Sequence, residues 1–183
     1  MDHTDVGLRA VIRALSDVVR PALDPGAQMA KEQLQLSIDY LEFVLTRLPL
    51  LHARERLELR QQVEMGEAVA EVAGEMARAA GTAGRVEGAA LHSAMTVARE
   101  TLSDADATQD ALRGATARVA EAVAAIVQAA ATLEPDARRA IERRVVHASR
   151  ARIAFERAWY LPLGLDPEPG AVRALDEVMR ARS

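Results

Sequence analysis

The sequence predicts an all-α fold: an antiparallel multi-helix bundle of about six long helices plus a short C-terminal helix. Three observations predict it. Apolar residues make up 50 % of the chain but aromatics only 3 %, and alanine, the strongest helix former, supplies much of the apolar share. Apolar positions recur in steps of three and four along most of the chain, the period of a helix face. No segment carries the alternating Val, Ile, Thr, Tyr and Phe of a strand.

The first helix is expected to start at Thr4 or Asp5, residue types that cap helix starts well, with Leu8, Val11, Ile12, Leu15, Val18 and Val19 in its apolar pattern. Pro21 is expected to help end it, because a proline pushes the residue before it away from helix. Asp24-Pro25 reads as the next start, a capping residue ahead of proline at the first helical position. Leu34, Ile38, Leu41, Leu45 and Leu48 then form a stripe widened by Tyr40, Phe43 and Val44, and Pro49 ends or kinks that helix.

A third helix is expected over Leu51 to Ala80. Leu59, Val63, Gly66, Ala70, Ala73 and Ala77 form one stripe, Met65, Val69, Val72 and Met76 a second, and Glu64, Glu67, Glu71, Glu75 and Arg78 a narrow polar strip. So narrow a strip implies enclosure by neighbouring helices. Gly81-Thr82-Ala83-Gly84 is a natural stop. Helix four follows over about Val86 to Leu102 with Leu91, Met95, Ala98 and Leu102 in line, and Ser103-Asp104-Ala105-Asp106 breaks it. Helix five, about Thr108 to Leu133, carries a seam of Leu112, Ala115, Val119, Ala122, Ile126, Ala130 and Leu133 suited to antiparallel packing.

Glu134-Pro135-Asp136 leads into helix six, about Asp136 to Tyr160, with Ile141, Val145, Ala148, Phe155 and Trp159 facing inward and Ala151 or Arg152 at the intervening step. Leu161-Pro162-Leu163-Gly164-Leu165 is an apolar connector, and Asp166-Pro167 begins a last helix with Val172, Leu175, Val178 and Met179 on one side. Short connections make consecutive helices antiparallel neighbours. The expectation is a single all-α domain over 1–183, with 166–183 a candidate docking or dimerisation helix.

Composition narrows the function classes. A chain of 183 residues can bury a core without disulfides or metals. With no cysteine, disulfides, thiolate zinc sites and cysteine nucleophiles are excluded. The start Met1-Asp2-His3-Thr4-Asp5 is acidic and unlike a signal peptide. The most apolar stretch, Ala122 to Ala131, is too short to span a bilayer. These features lead to the expectation of a cytoplasmic protein with no membrane contact. A single lysine, Lys31, among abundant Arg and Ala suggests a GC-rich bacterial genome.

The net charge of −4 is uneven: −1 over 1–60, −6 over 61–134 and +3 over 135–183. An acidic total argues against nucleic acid as a partner, while the asymmetry suits contact between acidic and basic segments within a chain or between subunits.

No catalytic set assembles, and no metal or cofactor site is expected. The Glu64, Glu67, Glu71, Glu75 strip lacks the Glu-x-x-His pairs of a di-iron bundle, since Pro49, Ala89 and Arg144 stand three residues before His52, His92 and His147, and His3 has no such residue. The histidines are scattered singly, with no zinc motif. Gly81, Gly84 and Gly88 follow no strand, so they form no phosphate loop, and there is no Gly-x-Ser-x-Gly elbow. Trp159-Tyr160 reads as an anchor for the last helix, or as part of a pocket or interface.

The sharpest chemical feature is an arginine-rich face on helix six, where Arg139, Arg143, Arg150 and Arg157 lie near one side with His147 between them and Arg144 and Arg152 close by. Guanidinium groups in that array could hold carboxylates or phosphates. Ion pairing with the acidic middle of the chain, or of a partner subunit, is the plainer use.

The segment Leu8 to Leu48, with Val18-Val19-Arg20-Pro21-Ala22-Leu23 closing one helix and Leu34, Leu41 and Leu45 in the next, resembles small uncharacterised bacterial helical proteins encoded beside aminoglycoside-phosphotransferase-like kinases and acyl-CoA dehydrogenases. The resemblance implies an accessory role near acyl-CoA or phosphotransfer metabolism and carries no catalytic residues with it.

Two expectations follow. The first is a non-enzymatic accessory or interaction protein, a homo-oligomer and most simply a homodimer, because long apolar faces stand without a catalytic set. The alternative is a binder of a small anionic or acyl ligand, or an enzyme of unidentified type. It would use an inter-helix pocket lined by Met65, Met76, Met95 and Trp159 near the arginine face.

Overall fold

The computed structural model describes residues 3–80, 83–131 and 134–180, and the side chains of all these except 73, 75–80, 83–87 and 137. The described residues are all-α, with no strand among them. They form two compact units, Met1–Leu51 with Trp159–Val172, and His52–Ala158 with Arg173–Ser183.

The first unit is a helical hairpin. Helix α1 covers Thr4–Ala14, passes through a π-helical turn at Leu15–Val19 and continues as α2, Arg20–Ala22. Pro21 therefore does not stop the helix before it, contrary to expectation. A proline in a helix interior lacks an N–H and its ring crowds the carbonyl four residues back, here that of Asp17. Asp17 lies inside the wide π turn, the usual way a helix absorbs such an interruption, and the helix ends only where Leu23 becomes extended, with ψ 139°.

Helix α3 is Gln28–Arg47, starting after the expected Asp24-Pro25. Asp24 instead closes a turn, its Oδ1 accepting from the Gly26 N–H at 2.7 Å. Pro49 sits in a 3₁₀ turn, Leu48–Leu50, between α3 and the next helix.

Helices α1 and α3 pack together, and a 3₁₀ turn at Leu161–Leu163 packs on α3. The apolar side chains buried in this unit are Ile38, Phe43 and Trp159, while Leu8, Ile12 and Leu15 of the first helical run are only half-buried. Gly164 ends the 3₁₀ turn in the left-handed region at φ 70°, a conformation open to glycine at little cost.

The second unit holds four long helices: α4 Leu51–Ala80, whose first residue falls to the other unit, α5 Ala83–Ser103, α6 Gln109–Ala130 and α7 Pro135–Tyr160 up to Ala158. The described residues give their directions. Arg56 near the start of α4 donates to the Leu102 carbonyl at the end of α5 and, at 2.9 Å, to that of Asp104, while Arg99 pairs with Glu67 at 2.7 Å. Helices α4 and α5 are thus antiparallel. Arg113 Nε reaches Glu55 at 2.8 Å, and Gly66 lies against Val119, so α6 runs parallel to α4. Arg144 pairs with Glu71 at 3.2 Å, placing the early part of α7 beside the later part of α4.

The core between them is built from Leu59, Val63, Val69 and Val72 of α4, Leu91, Met95 and Ala98 of α5, Leu112, Ala115, Val119, Val123, Ile126 and Ala130 of α6, and Ile141 of α7. Each large aliphatic side chain fully buried contributes about 1.5–3 kcal/mol of transfer free energy. Gly66 lets α4 approach its neighbours: a methyl group there would stand 3.0 Å from Met95 Sδ and 3.3 Å from Val119 Cγ1.

The expected seam of α4 is buried at Leu59, Val63 and Gly66 and breaks at Ala70. Ala70 is exposed, whereas Glu55, Gln61 and Gln62 are buried, so the inward face includes polar side chains that the apolar pattern passed over. Thr108 caps α6, its Oγ1 accepting from the Ala111 N–H at 3.2 Å. The last helix, α8, is Leu175–Arg180, and Val178 is buried. It starts later than Asp166-Pro167 because Asp166 closes a turn onto the Glu168 N–H at 2.8 Å and a 3₁₀ turn follows at Pro169–Ala171. Gly81, Thr82 and Leu133, and the side chains of Ala73, Glu75, Met76, Ala77, Arg78, Gly84 and Val86, lie outside the described residues.

Candidate functional site

Helix α7 carries the arginine face. Three of its seven arginines are matched locally, at the three- and four-residue spacings that bring helical side chains together. Arg138 pairs with Glu142 at 2.7 Å, Arg139 with Asp136 at 2.6 Å and Arg152 with Glu156 at 3.0 Å. Arg144 makes the contact with the acidic middle of the chain that the charge pattern suggested. Arg157 is half-buried. Arg143 and Arg150 form no ion pair with another described residue. With His147 they occupy positions i, i+4 and i+7, a single helix face.

Two concavities meet on that face. The larger, about 830 Å³, is lined by Arg139, Arg143, Arg144, His147 and Arg150 over Val72 of α4. The smaller, about 470 Å³, is lined by Gln61 and Glu64 of α4, His147 and Arg150 of α7, Arg173 and Val178, with alanines completing its walls. His147 and Arg150 belong to both.

Gln61 is the unusual member. The residue is 5 % exposed, and its buried Oε1 has no hydrogen-bond partner among the described residues. A buried polar atom left unsatisfied costs about 1–3 kcal/mol, and such atoms are rare in folded proteins. The neighbouring Arg60 Nε is also buried without a partner. Whichever way the amide is turned, one end of Gln61 faces no partner among the described residues.

The methionine-lined pocket is not what these concavities are made of. Met95 is buried in the core of the second unit and Met65 packs against that core. Trp159 is buried in the first unit beneath Arg47, and Met76 lies outside the described residues. Glu67 and Glu71 hold ion pairs with Arg99 and Arg144, and Glu64 is exposed. No group of three or more potential metal-ligating side chains occurs among the described residues. His3, His52, His92 and His147 are exposed.

A second surface feature lies in the first unit. Met29, Leu36 and Tyr40 of α3 are 76 %, 61 % and 56 % exposed. At about 100° per residue, all three point within about 20° of the direction opposite the buried Ile38. Helix α3 is therefore apolar on two opposite sides. The Tyr40 ring lies 5.9 Å from that of the buried Phe43, which in turn stacks at 5.8 Å on the exposed Tyr160. Sequence periodicity had merged Tyr40 with the inward stripe.

Among the described residues no helix is long and apolar enough to cross a membrane. No protein family, curated protein or solved structure matches the chain.

Proposed function

We propose that this chain is a non-enzymatic helical interaction protein that works as a homodimer joined through the outer face of α3. The observation that carries the reading is the exposed Met29, Leu36, Tyr40 stripe on the side of α3 opposite Ile38. Contiguous exposed apolar surface marks an interaction site, and tyrosine and methionine are enriched at interfaces.

A second copy suits this face because the stripe is self-complementary. Two α3 helices crossing antiparallel about a two-fold axis near Gln35 set Leu36 against Leu36. They also set Met29 of each copy against Tyr40 of the other, a favourable sulfur–ring contact. The small core of the first unit supports the same reading, since Ile38, Phe43 and Trp159 alone leave apolar surface for a partner to cover. The cysteine-free, arginine-rich composition fits an accessory or scaffold protein of the bacterial cytoplasm.

Light scattering coupled to size exclusion tests the proposal. The wild type is expected at twice the monomer mass of 19.8 kDa, and Leu36→Glu with Tyr40→Ser at the monomer mass with unchanged helicity by circular dichroism. A wild type that stays monomeric across the concentration range overturns it.

A further inference from the structure

We propose that the smaller concavity, formed by Gln61, His147, Arg150 and Arg173, binds a small phosphate monoester that carries a hydroxyl group. Two features of the site specify the two halves of that ligand.

The first is charge. Arg150 and Arg173 enter the lining with no ion pair to another described residue, His147 stands beside them, and Glu64 is the one carboxylate among the described residues of the lining. The balance is positive without counting the imidazole, and the larger concavity adds Arg143 next to the shared His147 and Arg150. A guanidinium offers a planar fork of donors that fits phosphate oxygens. A dianionic phosphate meets two guanidiniums better than a single carboxylate does.

The second is the buried amide. Gln61 is more than nine-tenths buried, lines the same concavity, and carries just beneath the wall an Oε1 that no described residue satisfies. Turned toward the concavity, that amide end pairs with a hydroxyl group on the ligand, which can donate to an oxygen or accept from an N–H. Sites that hydrogen-bond a substrate hydroxyl reject analogues lacking it, because the buried partner is then left unpaired. Water in this place would satisfy Gln61 but leave the guanidiniums unmatched. The remaining walls are small and apolar, Ala68, Ala148, Ala151 and Ala154 with Val178, and leave room for a short carbon skeleton within about 470 Å³.

Titration calorimetry of the full chain with glycerol 1-phosphate, inorganic phosphate and glycerol tests the site. Glycerol 1-phosphate is expected to bind saturably and about tenfold more tightly than inorganic phosphate, with no binding of glycerol. Arg150→Met and Arg173→Met, both at exposed positions, should each weaken both phosphates by about tenfold. Gln61→Met should remove the preference for the ester while inorganic phosphate still binds. If that buried variant fails to fold, the hydroxyl's role is read instead from methyl phosphate, which should bind no better than inorganic phosphate. No saturable phosphate binding up to about 10 mM, or binding unaffected by Arg150→Met and Arg173→Met, overturns the proposal. Equal affinity for glycerol 1-phosphate, methyl phosphate and inorganic phosphate overturns the role of Gln61.

Discussion

Arg47 caps the end of another helix by donating two hydrogen bonds to one atom: its Nε and Nη2 reach the Trp159 carbonyl oxygen at 3.1 and 2.9 Å. The same guanidinium lies 5.2 Å from the centre of the Trp159 ring and 5.5 Å from that of Phe43. Burial pulls its pKa below the ordinary arginine value, yet arginine remains charged at any physiological pH. The carbonyls at a helix end lack intrahelical partners, so a charged double donor there is well used.

Arg47→Met is expected to destabilise the first unit by about 2–3 kcal/mol, combining a charge-assisted hydrogen bond with a partly desolvated cation–π contact. Arg47→Lys should cost about 1–2 kcal/mol, because an ammonium cannot donate as a planar fork while stacking. Urea unfolding followed by Trp159 fluorescence checks both. Indistinguishable lysine and wild-type curves would refute the role of the planar group.

Two helical glycines should respond in opposite directions. Gly66→Val pushes into Met95 and Val119 and is expected to cost about 2–3 kcal/mol by overpacking. A methyl group at Gly114 meets nothing within 4 Å, so Gly114→Ala should stabilise by about 0.5–1 kcal/mol through helix propensity. Thermal unfolding of the two variants beside wild type measures the contrast.

Thr108→Ala removes the oxygen that accepts from Ala111 N–H at 3.2 Å and should cost about 1 kcal/mol, while Thr108→Ser should be nearly neutral. Chemical denaturation separates them. Equal losses for alanine and serine would show that the hydroxyl is not what holds the start of α6.

Asp176 accepts from Arg180 one turn along α8, and that hydrogen bond holds its carboxyl below the ordinary 3.8. A carboxylate with a depressed folded pKa contributes stability that is present above its unfolded value and is lost as pH falls through the folded one. The carboxyl signal of Asp176 should therefore titrate below 3.8 by NMR, and Arg180→Ala should bring it back up. A midpoint at or above the ordinary value would show that the pair does not persist in solution.

Much of the architecture was legible because long helices repeat their signal many times. The bounds of α4 match the periodic stretch Leu51–Ala80. The α6 seam of Leu112, Ala115, Val119, Ile126 and Ala130 is buried as expected. The connections were less legible. Asp24 and Asp166 can cap a helix or close a turn, and both close turns, a choice that depends on backbone geometry a few residues away.

The candidate site was half legible. The arginine face stood out as charge on a helix, but which cations stay unmatched depends on partners such as Glu71, brought near only by folding. Gln61 gave no signal, because an amide on a long helix counts as polar until burial around it is known. The outer face of α3 was hidden for the opposite reason: apolar residues on two sides of one helix blur the period that a single stripe would show.

The π turn at Leu15–Val19 stores one residue more than the regular spiral holds. Removing a residue there would let the chain rewind as an ordinary spiral, with the residues beyond the cut on nearly their former faces and Leu23 still half-buried. The cost of such a deletion falls on Pro21, whose pyrrolidine would meet the carbonyl four residues back with no slack to avoid it. Deletion paired with Pro21→Ala should therefore be tolerated far better than deletion alone.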